Sequence, residues 1–269
     1  MRTAFVFASL LASGMLLASR ADAQVTLAQD TLSMDSPAAA VCGFCGTEGF
    51  GVVFRDLPAP ARGLLAEDFP LTLRSVEIAL AAARLNGSTC MNVPEGGTAL
   101  VDVEIWAGVT PPTGAIDATG PSEPWGGTDE ELVFAAADVP IELSVPATGS
   151  TGFSLQLNRF EIMDEMGAPL RVAAPLTYLR VYVQLHESTL PGPSCPFSSD
   201  GSPLRDDGRI APERSYIFAN GMGFVWNEAA GVNGDWAVRL DIIPTIPPTA
   251  DAGPRPDSGA AQDGGALGT

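Results

Sequence analysis

The chain has 269 residues and a formal net charge of −18 at pH 7, and all 14 of its basic residues are arginines. This charge argues against nucleic acid as a partner, because the surface lacks the cations to neutralise a row of phosphates, and against attraction to anionic membranes. An acidic surface keeps a protein soluble and also favours cation binding, and we give solubility the greater weight.

The first 23 residues have the features of a cleavable secretory signal. Arg2 provides a positive start, residues 4–18 form an uncharged apolar run, and residues 21–23 supply an A-x-A cleavage pattern. The apolar run is shorter than the roughly 20 residues that span a bilayer, and no later stretch approaches that length. We therefore expect a mature chain that begins at Gln24, has no transmembrane segment, and is secreted, periplasmic or on the outer cell surface.

The chain contains four cysteines, Cys42, Cys45, Cys90 and Cys195. In an exported protein an even number predicts disulfides, and four cysteines allow three pairings. We favour Cys42–Cys45 together with Cys90–Cys195, and the other pairings stay open. A redox pair is disfavoured because no helix pattern follows Cys45, and a zinc site would need single ligands from distant loops to converge.

After a polar lead-in over residues 24–41, residues 42–244 have the pattern of one domain of short strands. Runs of alternating hydrophobicity are separated by turns rich in proline and glycine, and no sustained period of 3.6 residues indicates a helix. This pattern predicts an all-β antiparallel sandwich, jelly-roll-like, with about 9–11 strands. The predicted strands cover residues 50–55, 71–80, 100–106, 141–145, 153–157, 179–185, 216–218, 223–226 and 236–243.

Two of these strands carry more detailed predictions. In residues 71–80 the apolar positions change parity, so we expect a β-bulge or a bend near Arg74 and Ser75. In residues 100–106 the carboxylates of Asp102 and Glu104 alternate with apolar side chains, which is typical of a solvated sheet face.

Three segments lack a strand pattern. Residues 107–131 and 187–214 are long loops, and loops of this length are either functional or partly mobile. Residues 245–269 are rich in proline, aspartate, glycine and alanine and cannot bury a core, so we expect a disordered tail.

The sequence nominates no catalytic residue and predicts a protein that is not an enzyme. His186 is the only histidine, and strand parity places it beside Gln184 on a polar face, where a solvated role is expected. No nucleophile elbow, zinc-protease helix or phosphate-binding glycine loop is present. A glycosidase would need two carboxylates across a cleft, and the many acidic residues do not single out a pair.

Two kinds of ligand stay open. Oxygen-rich loops at residues 117–131 and 198–207 would suit Ca²⁺, although neither has the EF-hand pattern. Trp125 lies in a loop rich in proline and glycine, where an exposed indole would stack on a sugar ring, and a packed loop anchor is the alternative. Trp106 and Trp236 lie at strand ends and are expected to be structural.

The patterns over residues 69–80, 101–106, 152–157, 215–218 and 233–239 follow an order that resembles uncharacterised exported β-sandwich proteins of high-GC Gram-negative bacteria. The resemblance extends over residues 65–243. It implies a jelly-roll-like sandwich at the cell surface and carries over no catalytic or binding residue. Some members have a C-terminal sorting signal with a hydrophobic helix and a basic cluster, and because the tail here shows neither, the resemblance does not predict a surface anchor.

We therefore expect an exported, non-catalytic surface or extracellular protein with a structural or binding role, whose partner is a protein or a glycan. A carbohydrate-binding module that acts through Trp125 is the alternative. A hydrolase with unidentified paired carboxylates is a third hypothesis.

Overall fold

A computed structural model describes residues 24–33, 37–86, 89–93, 96–116, 120, 123–126, 128–149, 151–189, 196–206 and 212–245. The expected signal over residues 1–23 and the expected tail beyond Thr245 lie outside the described residues. No helix in this part of the chain has the length and hydropathy needed to cross a membrane. Apart from two short 3₁₀ turns, Pro60–Arg62 and Ala66–Asp68, these described residues form strands and loops.

The described strands are β1 (Val25–Ala28), β2 (Pro37–Ala40), β3 (Gly49–Phe54), β4 (Leu71–Ile78), β5 (Leu80–Ala81), β6 (Ala83–Asn86), β7 (Thr89–Asn92), β8 (Thr98–Gly108), β9 (Glu131–Glu142), β10 (Phe153–Ser154), β11 (Asn158–Glu161), β12 (Leu170–Val172), β13 (Tyr178–Leu185), β14 (Ser202–Arg205), β15 (Ser215–Ala219), β16 (Gly223–Trp226) and β17 (Val238–Ile243).

Two large sheets of antiparallel strands form a sandwich. One has the order β1-β17-β4-β11, with β12 also paired to β4, and the other has the order β16-β15-β3-β13-β8-β9. One hydrophobic core joins them, with Val76 and Leu240 from the first sheet and Val52, Val103 and Val181 from the second. A smaller sheet, β10-β2-β14-β5, and the β6-β7 hairpin complete the fold. The all-β antiparallel sandwich predicted from the sequence is confirmed. The predicted number of about 9–11 strands is too low, because the described residues form 17 strands, several of them only two to four residues long.

The bulge predicted in β4 is present. Asp241 and Ile242 of β17 pair with Ser75 and Leu73, which leaves Arg74 as the extra residue of β4. The apolar side chains on both sides of the bulge therefore face the core although their parity in the sequence changes.

The predicted strands omit residues 132–140, which form most of β9. This strand of 12 residues pairs with β8 and lies at the edge of its sheet among the described strands, and most of its side chains are exposed or half-buried. A strand with so little burial has no hydrophobic alternation to detect. Pro140 within it fits an edge position, where a missing N–H is tolerated.

The lead-in over residues 24–41 contributes strands to the sandwich. β1 pairs with the last strand along four residues, from Val25 opposite Ile242 to Ala28 opposite Arg239. β2 pairs with β10 and β14 in the smaller sheet. The short length of these strands explains the absence of a visible period in the sequence.

The favoured disulfide pairing is wrong. Cys42 bonds to Cys90, with the two Cα atoms 5.6 Å apart. Cys45 is also disulfide-bonded, and Cys195 lies outside the described residues. Spacing along the chain favoured Cys42–Cys45, but the β6-β7 hairpin brings Cys90 beside Cys42, and both pack on the core of the smaller sheet.

We expect the double substitution Cys42→Ser and Cys90→Ser to lower the free energy of unfolding by about 2–4 kcal/mol, because the bond closes a long loop in the unfolded chain. The two cysteines are 48 residues apart. Denaturant titration measures the change. Peptide mapping without reductant should recover a fragment in which Cys42 is linked to Cys90, and a Cys42–Cys45 link would contradict the structure.

Candidate functional site

Three side chains that can ligate a metal converge on the outer face of the six-stranded sheet. Asp102 lies on β8, Asp138 on β9, and His186 directly follows β13. One ligand atom from each side chain can be chosen so that all three lie within 4.8 Å of one another. The Nε2 atom of His186 is 2.8 Å from Oδ1 of Asp102, and its Nδ1 atom is 3.8 Å from Oδ1 of Asp138.

A β-bulge in β9 places Asp138 in this cluster. The pairing of β8 with β9 shifts register between Val101 and Val103, and Asp138 has a φ of 56°, in the left-handed region. Its N–H donates a hydrogen bond of 3.0 Å to Oδ1 of Asp102. Bulges redirect side chains, and here the bulge brings a second carboxylate to the first.

His186 is where strand parity predicts it, on the same face as Gln184, which pairs with Asp102 in the β8-β13 ladder. Its side chain is 29% exposed, that of Asp102 is 37% exposed and that of Asp138 is 73% exposed. The three candidate metal ligands are therefore accessible from solvent, but their side chains lie close to one another instead of pointing separately into water.

The donor set of one imidazole nitrogen and two carboxylate oxygens suits a divalent ion of intermediate hardness such as Zn²⁺. Ca²⁺ prefers oxygen ligands throughout. Glu104, on the same face of β8, has its own partner, since its carboxylate accepts a hydrogen bond of 3.0 Å from the indole N–H of Trp106.

In the loops predicted to suit Ca²⁺, the carboxylates of Asp129 and Asp206 accept hydrogen bonds within the protein. Backbone N–H groups of Thr110 and Val109 donate to Asp129, and these hydrogen bonds lower the pKa of its carboxyl group. Asp206 accepts N–H groups from two other segments. Because Asp117 and Asp207 lie outside the described residues, calcium in these loops stays a prediction.

Trp125 is a packed anchor. Its residue is 1% exposed, and its ring makes edge-to-face contacts with Tyr216, Phe224 and Trp226 at centroid distances of 5.0 to 5.6 Å. The other three tryptophans are also at most 5% exposed, as expected for Trp106 and Trp236. Sugar stacking on Trp125 therefore loses its basis, and the loop-anchor alternative holds.

Beneath Trp125 lies a buried ion pair that the sequence patterns do not predict. Arg180 of β13 is 0% exposed, and its guanidinium carbon is 4.4 Å from the Trp125 ring centroid and 4.8 Å from that of Trp106. Two charge-assisted hydrogen bonds of 2.7 Å connect it to the carboxylate of Glu130. Strand parity indicates that Arg180 points away from the core, and this is correct, but the loop before β9 covers that face.

We expect Glu130→Gln to lower the free energy of unfolding by about 3–5 kcal/mol, because it leaves the charge of Arg180 buried without a counter-charge. The neighbouring Glu131→Gln removes the same charge from an exposed position and serves as the control, with an expected change within about 0.5 kcal/mol. Urea titration of both variants measures the difference. Equal stability of the two variants would contradict the assigned role of the pair.

The buried aromatic cluster around Trp125 contains all three tyrosines of the chain, Tyr178, Tyr182 and Tyr216. Each of them is 0% exposed. Burial raises the pKa of all three phenols above the usual value. The folded chain therefore holds these protons where the unfolded chain releases them, so stability falls as the pH rises above about 10.

Spectrophotometric titration tests this behaviour. We expect no tyrosinate absorbance from the folded protein at a pH of about 10.5, where the chain unfolded in urea should be mostly ionised. The signal should appear in one step together with loss of the fold. Gradual ionisation of a tyrosine while the circular dichroism stays native would disprove the burial of the cluster.

Comparisons of the chain with protein-family models, with curated proteins and with solved structures found no match. The function therefore has to be inferred from the side chains that this fold brings together.

Proposed function

We propose that the chain is an exported, non-catalytic protein of the cell surface or extracellular space that acts by binding, with a divalent-cation site at Asp102, Asp138 and His186. The observation that carries the metal site is the convergence of three ligand atoms within 4.8 Å on an accessible sheet face.

Binding fits the surroundings of His186 better than catalysis does. The ring nitrogens face two carboxylates, and in the described part of the chain neither nitrogen has a hydrogen bond to a hydroxyl or a thiol. Nucleophilic catalysis needs such a group next to the base. The described geometry places the imidazole and the two carboxylates as ligands for a cation.

A bound ion would complete the charge balance of the cluster. Two carboxylates lie beside a single imidazole, and a divalent ion would offset both of their negative charges. Three protein ligands leave at least one coordination position of Zn²⁺ free. An oxygen atom of a partner could occupy that position, which gives the site a role in binding at an extracellular surface.

Export is supported by two features of the chain. The signal pattern over residues 1–23 is one. The disulfide between Cys42 and Cys90 is the other, because disulfides persist in oxidising compartments and are rare in the cytosol.

The full-length chain should be expressed in a Gram-negative host and recovered from the periplasm or the medium, with its N-terminus determined by sequencing. We expect the mature chain to begin at Gln24 and to bind Zn²⁺ in calorimetric titration. His186→Gln and Asp138→Asn should each weaken Zn²⁺ binding at least tenfold. Loss of a group that merely holds a metal ligand in place already lowers metal affinity by about that much, and loss of a ligand itself should cost no less. Glu165→Gln, an exposed acidic residue outside the cluster, should bind Zn²⁺ like the wild type.

If the cluster variants bind Zn²⁺ as tightly as the Glu165 variant, the metal site is wrong. Retention of the whole chain in the cytosol with residues 1–23 uncleaved would contradict export. The metal-binding part of the proposal would not be affected by that result.

A further inference from the structure

A cavity of about 230 Å³ opens where β3 ends and the chain enters the Pro60–Arg62 turn. Its apolar part is formed by Leu27, Phe54 and Leu57. Its charged part is formed by Asp56 and three arginines, Arg55, Arg62 and Arg214. The cavity therefore has an apolar surface on one side and guanidinium groups on the other.

The charges around the cavity do not balance. Arg55 pairs with Glu213 at 2.8 Å, and Arg214 pairs with Asp56 at 2.8 Å. Arg62 has no carboxylate within 4.0 Å in the ranges that the structure describes. One positive charge thus remains without a counter-charge at this cavity, in a chain whose net charge is −18.

The arginines also repel one another. Although Arg62 is exposed at the surface, its partial desolvation and then the nearby charge of Arg214 lower the pKa of its guanidinium, and Arg214 acts on Arg55 in the same direction. In addition, the Nε atom of Arg55 is buried, and within the described residues no acceptor satisfies it. An anion in the cavity would reduce the repulsion and provide acceptors for unused guanidinium donors.

We propose that this cavity binds a small organic anion, with the anionic group on Arg62 and Arg214 and an apolar body against Leu27, Phe54 and Leu57. A guanidinium group can donate two parallel hydrogen bonds to two oxygens of a carboxylate or phosphate, which suits an anionic head group. The cavity is smaller than the roughly 300–1,000 Å³ of sites for drug-sized ligands, so its ligand is the size of a single ring or a short branched chain.

This site is independent of the metal cluster. The cavity lies beside other strands, carries positive instead of negative side chains, and would bind an anion instead of a cation. An experiment that disproves one site therefore leaves the other proposal unaffected. Arg62 is exposed and has no ion pair to lose within the described residues, so its substitution tests binding without removing a structural contact.

The test is a calorimetric or NMR titration of the mature protein with benzoate at low ionic strength, with inorganic phosphate and benzyl alcohol as comparison probes. Benzoate has both an anionic group and an apolar ring, whereas each comparison probe lacks one of them. We expect benzoate to bind more tightly than phosphate, and benzyl alcohol not to bind.

Arg62→Gln and Arg214→Gln should each weaken benzoate binding by about tenfold or more, as expected for loss of a charge-assisted hydrogen bond. Arg74→Gln is the matched control, because Arg74 is exposed, makes only a 3.9 Å ion pair, and lies outside the cavity. Circular dichroism establishes that each variant is folded.

Benzoate binding that is lost in the Arg62 variant and retained in the Arg74 variant supports the proposal. Absence of benzoate binding to the wild type overturns it, and so does an Arg62 variant that binds as tightly as the Arg74 variant. Binding of phosphate without benzoate overturns the role of the apolar surface.

Discussion

The charge of Arg180 constrains how the outer face of the six-stranded sheet is covered. A guanidinium without solvent costs several kcal/mol unless a counter-charge and hydrogen bonds surround it. Glu130 supplies the counter-charge, and the rings of Trp106 and Trp125 supply cation–π contacts. Because Glu130 directly precedes β9 and also accepts the backbone N–H of Trp125, the ion pair between Arg180 and Glu130 fixes the position of the loop. The ion pair, the buried aromatic cluster and the start of β9 therefore form one structural unit.

The same constraint explains why the proposed metal site is accessible. Alternate residues of β13 share the outer face with alternate residues of β8, in a ladder that pairs Arg180 with Trp106 and Gln184 with Asp102. The loop covers the part of this ladder around Arg180, where aromatic rings and the ion pair exclude water. Beyond it, at the end of β13, the face stays open and carries Asp102 and His186. One face of one sheet thus provides a dry packing surface and an accessible cluster of metal ligands.

Hydrophobic alternation predicted the parts of the fold that face a common core. It identified β8 and β13, and a change of parity identified the bulge at Arg74. It did not identify β9, which lies at the edge of the described sheet and has little burial. Alternation reports which side chains share a face, but not which strands are neighbours or what covers the face. The pairing of Cys42 with Cys90, the burial of Arg180 and the approach of Asp138 to His186 all depend on that missing information.

The strong acidity of the chain acts differently on the two proposed sites. Exposed charges are screened beyond about 8 Å at physiological ionic strength, so the net charge affects approach more than the final contacts. A cation is drawn towards an acidic surface, which supports capture by Asp102 and Asp138 even with few ligands. An organic anion meets long-range repulsion, so its affinity has to come from contacts within the cavity itself. Arg62 and the adjacent apolar surface provide such short-range contacts. They favour a ligand whose anionic end pairs with the guanidinium and whose apolar end is buried away from water.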